Sequence, residues 1–226
     1  MRIGFFASAA LACALATPAL AQKAAPDPLA LVDARYDRTA AVAKAIWDFA
    51  ELGYQENRSS ALLQAELAKE GFKVTKGVAE IPTAFVAEWG SGGPVIAILA
   101  EFDALPGVSQ AAVPVKQTDS KPAAHACGHN LFGSGSVTAA IALSQWLKAT
   151  GTPGRVRLYG TPAEEGGSGK VYMVRAGLFD DVDFALHWHP SDSNSAAART
   201  TLANRSAKFR FKGKAAHAAG APAQGR

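Results

Sequence analysis

The run Val95-Ile96-Ala97-Ile98-Leu99-Ala100 is apolar at every position. A strand with one wet face would alternate, so this one needs cover on both sides, as a central strand of a layered α/β sheet has. The flanking sequence agrees. Strand-like runs at residues 72–76, 84–89, 155–161 and 183–186 alternate with helical periodicity at 29–52, 59–70, 131–149 and 171–176. Gly53 reads as a stop for the first helix. The order predicts an α/β fold with a mostly parallel sheet covered by helices. Past residue 196 the character changes. Lys208-Phe209-Arg210-Phe211 alternates like a half-exposed strand, and small residues follow from Gly213. This predicts the first strand of a second domain.

The N-terminus reads as a secretory signal. Met1-Arg2 is basic, residues 3–16 are apolar but too short to span a bilayer, and Ala19-Leu20-Ala21 offers a small-x-small cleavage site before Gln22. The expected organisation is a signal peptide at 1–21, a catalytic domain at 22–203 and the start of a second domain at 204–226. The product is expected to be exported, periplasmic or secreted, with no membrane association after cleavage. The chain has 226 residues, 49% of them hydrophobic, enough for one real core, and its formal charge of +4 is scattered without a basic run. Nucleic acid is therefore not an expected partner. Of two cysteines, Cys13 lies in the leader, so the mature chain keeps only Cys127 and has no internal disulfide. A lone thiol in an oxidising compartment points to burial, metal binding or catalysis.

Four clusters fall at the ends of expected strands or in the loops just after them, where open α/β sheets build their sites. They are Glu101-Phe102-Asp103-Ala104-Leu105-Pro106, His125-Ala126-Cys127-Gly128-His129-Asn130, Thr161-Pro162-Ala163-Glu164-Glu165-Gly166-Gly167 and His187-Trp188-His189-Pro190. Cys127 and His129 can present a thiolate and an imidazole to the same or neighbouring ions. Glu164 and Glu165 point in different directions, so one can bind metal while the other faces substrate. His187 adds an imidazole. Singly, each has an ordinary explanation: a hydrogen-bonded histidine, solvated carboxylates, a small buried thiol. Together they form an N/O/S donor set suited to zinc or a similar ion. Gly166-Gly167-Ser168-Gly169-Lys170 is not a phosphate loop, because Glu164 and Val171 stand where that motif needs Gly and Ser or Thr.

The same clusters, with Gly213, Ala216-His217-Ala218, Pro222 and Gly225 in order, resemble the zinc amidohydrolase family of aminoacylases, glutamate carboxypeptidases and plant auxin-conjugate hydrolases. Residues 160–190 look most like its aminobenzoyl-glutamate-hydrolysing branch. The resemblance covers roughly residues 30–226. It implies a zinc-exopeptidase-like catalytic domain holding two divalent metal ions, zinc or alternatively manganese. It also implies an α+β lid that mediates assembly into a homodimer or hetero-oligomer. By position it makes Cys127, His129, Glu165 and His187 the metal ligands, with Cys127 bridging. Glu164 becomes the general base, and His217 a lid histidine that stabilises an oxyanion in the partner's site. The implied substrate is a small N-acyl amino acid, an aminobenzoyl-glutamate-like molecule or a peptide-like compound. Asn130 stands where Asp is commoner in the family, and the family's last ligand histidine lies downstream of residue 226. The expectation is therefore a C-terminally truncated chain with only the first part of the lid. Two other readings stay open: a non-catalytic fragment that only binds metal or ligand, and a thiol hydrolase with Cys127 as nucleophile.

Overall fold

The computed structural model describes residues 25–196, 200, 203, 205, 207, 209, 210, 212–217 and 219–225. The leader read at 1–21 lies outside the described residues. The chain divides into two compact units, Met1–Pro190 and Ser191–Arg226.

In the first unit, α1 (Pro28–Asp33) and α2 (Tyr36–Phe49) precede α3 (Asn57–Lys69). Strands β1 (Lys73–Lys76), β2 (Phe85–Ser91) and β3 (Val95–Ala100) follow, then the short pair β4 (Leu105–Pro106) and β5 (Ala123–Ala124). Helix α4 (His129–Thr150) leads to β6 (Gly154–Gly160), the single turn α5 (Glu164–Gly167), α6 (Gly169–Arg175) and β7 (Phe184–Leu186). The main sheet has the order β1-β2-β6-β3-β7. Strand β3 is parallel to both β6 and β7, while β2 runs antiparallel to β6 and to β1.

β3 is covered on both faces, as its sequence requires. Ile98 and Ala100 join Ile46, Leu63, Val137 and Ile141 under the α2, α3 and α4 layer. Ala97 faces the other way with Tyr159 and Met173, against which Leu99 packs. The sheet closes tightly at one pair, Phe85 opposite Gly160. A Cβ on Gly160 would lie 2.1 Å from the Phe85 ring, so only glycine fits there.

Two sequence expectations change in detail. The helix expected over 29–52 is broken at Ala34-Arg35 and ends at Ala50, which takes the left-handed conformation itself (φ 46°). Gly53 is therefore not the stop; it is glycine because a Cβ would lie 3.0 Å from Ala163. At the other end of the chain, Lys208 and Phe211 of the expected strand lie outside the described residues, and Phe209 and Arg210 belong to no strand. The second unit contains a turn at His217, where the Gly220 N–H donates to Nδ1 at 2.8 Å, and a 3-10 turn over Pro222–Gln224. Among the described residues no helix is long and apolar enough to cross a membrane.

Candidate metal centre

Parallel strands β3, β6 and β7 end at one edge, in register through Ile98, Leu158 and Leu186. The residues that leave that edge are Glu101 to Asp103, Thr161 to Glu165 and His187 to His189. The β4–β5 pairing, with Leu105 opposite Ala124, returns the chain so that residues 125–129 arrive beside Asp103. Three strand ends and one helix start thus converge.

His129 is the hub. It opens α4 after Gly128, whose φ of 82° and contact with Pro190 (2.9 Å from a Cβ) demand glycine. The ring is fully buried. Its Nδ1 lies 3.0 Å from both the backbone oxygen and Oδ1 of Asp103, which orients the ring and leaves Nε2 as the free donor atom. Around Nε2 stand Glu101 Oε2 at 3.0 Å, Glu164 Oε2 at 3.8 Å and Glu165 Oε1 at 4.0 Å. The other Asp103 oxygen accepts from the Glu165 backbone N–H at 2.8 Å, so one buried carboxylate aligns both segments. Beside this group, Cys127 Sγ lies 3.4 Å from His189 Nε2. His189 Nδ1 donates to Pro190 O at 2.8 Å, again leaving Nε2 as the acceptor. Donor atoms of Cys127, His129 and His189 lie within 4.8 Å of one another, as do those of Glu101, His129 and Glu164.

Carboxylates dominate the electrostatics of the group. Burial would push Glu101 up, but the His129 and His187 imidazoles and the Lys170 ammonium, which donates to its Oε1, hold it below the ordinary carboxylate range. Burial would lower His129, yet Asp103 and Glu101 raise it to about 10. Burial pushes the Cys127 thiol up to about 12, with Glu165, Glu164 and Glu101 adding to the rise. Glu164 is raised by burial and by its like-charged neighbours Glu101 and Glu165. Among the described residues, three of the six buried side-chain atoms with no hydrogen-bond partner lie here: Glu101 Oε2, His129 Nε2 and Glu165 Oε1, the first two facing each other as an ion pair at 3.0 Å. Buried polar atoms are nearly always paired. Three orphans facing one point, with a thiol and a second imidazole alongside, fit a bound divalent ion of the zinc type.

The sequence-derived residues are therefore largely gathered. Cys127, His129, Glu164 and Glu165 meet at one centre. His187 approaches it through Glu101, 3.7 Å from Nε2, while the imidazole beside Cys127 is that of His189. His217 belongs to the second unit. Sequence reasoning placed Glu101, Asp103 and His189 in clusters but gave them no role. The signal was present in the i, i+2 spacing of Glu101 and Asp103 after a buried strand, and of His187 and His189 after another. Neighbouring His125 is not part of the donor set. It is buried, its ring nitrogen donates to Ile46 O at 3.1 Å, and burial lowers its pKa to about 4. Asn130 donates to Ala43 O at 3.2 Å, a bond that an ionised Asp could not make.

Known proteins are similar to this chain in sequence and in fold. The chain is 49% identical over 197 residues to one subunit of the p-aminobenzoyl-glutamate hydrolase of Escherichia coli K12, covering 86% of this chain and 41% of that protein. It is 35% identical to the Xaa-Arg dipeptidase of Mus musculus, covering 86% of this chain and 44% of that protein. Among solved structures, a dinuclear metal-binding peptidase of the M20 family from Bacillus subtilis superposes with a TM-score of 0.58 at 28% identity, covering 69% of this chain and 43% of that one. The chain spans less than half the length of these relatives. Residues 97–219, which hold all four clusters and His217, match the family described as Peptidase family M20/M25/M40, and the chain belongs to that family.

Proposed function

We propose that this chain carries the metal-binding portion of an exported hydrolase that cleaves the amide bond of an N-acyl amino acid or an aminobenzoyl-glutamate-like substrate. The convergence of unpartnered donor atoms on Glu101, His129 and Glu165, beside the Cys127–His189 pair, supports the reading most directly. The residues fit two divalent ions, with zinc the best match to a thiolate, imidazole and carboxylate set. Cys127, His129, Glu165 and His189 would hold them, with Glu101 beside His129 Nε2 and His187 behind Glu101. Bound metal would supply Lewis acidity toward the amide carbonyl and acidify water.

The chain's own groups do the rest. Glu164 is half-exposed and has a raised pKa, so it can take a proton from the attacking water. The water oxygen bonds to the carbonyl carbon, the C–N bond breaks, and Glu164 returns the proton to the leaving nitrogen. Asp103 keeps the His129 ring fixed throughout. His217 accepts at Nδ1 and so carries its proton on Nε2, the form needed to donate to an oxyanion in a second copy. A thiol mechanism fares worse, because a Cys127 thiol raised to about 12 is not a nucleophile at neutral pH.

The test is elemental analysis with a hydrolysis assay on p-aminobenzoyl-glutamate. About two zinc-type ions per chain are expected, with turnover lost to chelator and restored by zinc. Glu164→Gln should retain metal and lose turnover by about 100-fold or more. Turnover indifferent to chelator would favour the thiol. Metal binding without hydrolysis of any N-acyl amino acid would favour a non-catalytic fragment. A secreted or periplasmic product beginning at Gln22 would support export, whereas a cytoplasmic product with its leader intact would refute it.

A further inference from the structure

Glu164 and Glu165 leave β6 through a strained residue. Ala163 has φ 57° and ψ 45°, a left-handed conformation that is strained for a non-glycine residue. Such a conformation persists only where surrounding groups fix it. Here the fixing group is a buried acid from a distant part of the sequence. Glu56, next to the start of α3, is fully buried. One of its oxygens accepts the Ala163 N–H at 2.8 Å, and the other accepts the Thr83 hydroxyl at 2.8 Å. Thr83 is itself held, its carbonyl accepting from Ser60 Oγ at 2.7 Å.

The rest of segment 51–56 grips the same region. The Gly53 backbone packs close to Ala163, which a Cβ on Gly53 would approach to 3.0 Å. The Tyr54 hydroxyl donates to Gly167 O at 2.5 Å. At the other end, Leu52 bridges Ala104, and the Ala104 N–H donates to Glu51 O at 2.8 Å. The segment therefore underlies both the Glu101–Asp103 loop and the Glu164–Glu165 turn. A buried carboxylate is expensive, and burial raises the Glu56 pKa accordingly. An apolar side chain would fill the space at lower cost but would leave the buried Ala163 N–H unpaired.

We propose that Glu56 is a positioning residue for the metal centre, holding Ala163 in its left-handed conformation and so aiming Glu164 and Glu165 at His129. The inference rests on the hydrolase reading only for its metal. The test compares the full chain with Glu56→Leu and Glu56→Gln by two readouts: amide hydrogen exchange, and zinc affinity measured against a chromophoric chelator. Glu56→Leu should lose exchange protection at residues 163–167 while β3, β6 and α4 keep theirs. Its zinc affinity should fall by about 10–100-fold, the usual effect of losing a group that orients ligands. Glu56→Gln should recover most of both, since its carbonyl oxygen can still accept from Ala163. Unchanged exchange at 163–167 in the Leu variant would overturn the proposal. So would loss of protection everywhere at once, which would make Glu56 an ordinary core residue, or a loosened turn with undiminished zinc affinity. Absence of zinc binding by the parent chain would sink the hydrolase reading instead, and the exchange comparison would still decide whether Glu56 holds the turn.

Discussion

The two nitrogens of His129 do different work, and that division sets how the centre responds to pH. Nδ1 is bound to Asp103, while Nε2 faces Glu101 and the paired glutamates. Without metal these acids hold a proton on the ring up to about pH 10. Because that value lies above the unfolded one, the pair stabilises the apo fold fully below pH 6.5 and loses its contribution as pH rises through about 10. A metal ion must displace this proton and that of the Cys127 thiol, so affinity should rise with pH by up to about 100-fold per unit near neutrality, with one to two protons released per ion. Zinc titrations at pH 6 and 8, with proton release followed in a weakly buffered solution, check this; pH-independent affinity would refute it. The imidazoles after β7 make a second prediction. His189→Ala should weaken zinc binding by more than the ~10–100-fold typical of outer groups, and His187→Ala by no more than that. The reverse order in a chelator competition would move the ligand back to His187.

Helices α2 and α3 are tied by charges that hydrophobic periodicity does not reveal. Arg38 Nε donates to Glu66 Oε2 at 2.9 Å and its Nη2 to Oε1 at 2.5 Å, with Lys69 also on Oε1 at 2.8 Å. Arg38, opposed by burial and helped by Lys69, holds the Glu66 carboxyl down at about 2. A depressed value contributes stability above the ordinary 4.5 and loses it as pH falls through about 2. Glu66→Gln should therefore destabilise the fold by about 1 kcal/mol at pH 7, a modest figure because Arg38 is half exposed. The difference from the parent should shrink as pH drops from 4.5 toward 2. Urea denaturation across that range measures it, and a constant difference would show that the charge is not what matters. Most elements themselves were legible: β3 from its unbroken apolar run, α4 and β6 from their periods. The break at Arg35 was not, because no glycine or proline marks it; the junction is held instead by Arg35 donating to Glu70 at 2.7 Å.

At the scale of the whole molecule, the centre draws together the ends of β3, β6 and β7 and the start of α4. A metal that binds only this assembled state must stabilise it, by about 4 kcal/mol at a thousandfold excess over its dissociation constant. Zinc should raise the melting temperature and chelator should reverse the rise; an unchanged melt in saturating zinc would exclude a preformed site. The sequence by itself determined the α/β layering and the clusters Cys127-x-His129, Glu164-Glu165 and His187-x-His189, because apolar periodicity and strand-end position are local properties written in consecutive residues. It could not determine which imidazole meets Cys127, that Asp103 would orient His129, or that Glu56 would reach across 107 positions to Ala163. Those pairings depend on the register of β3 with β6 and β7 and on the β4–β5 return. Such distances exist only once the sheet has been assembled, and only the tertiary structure decided them.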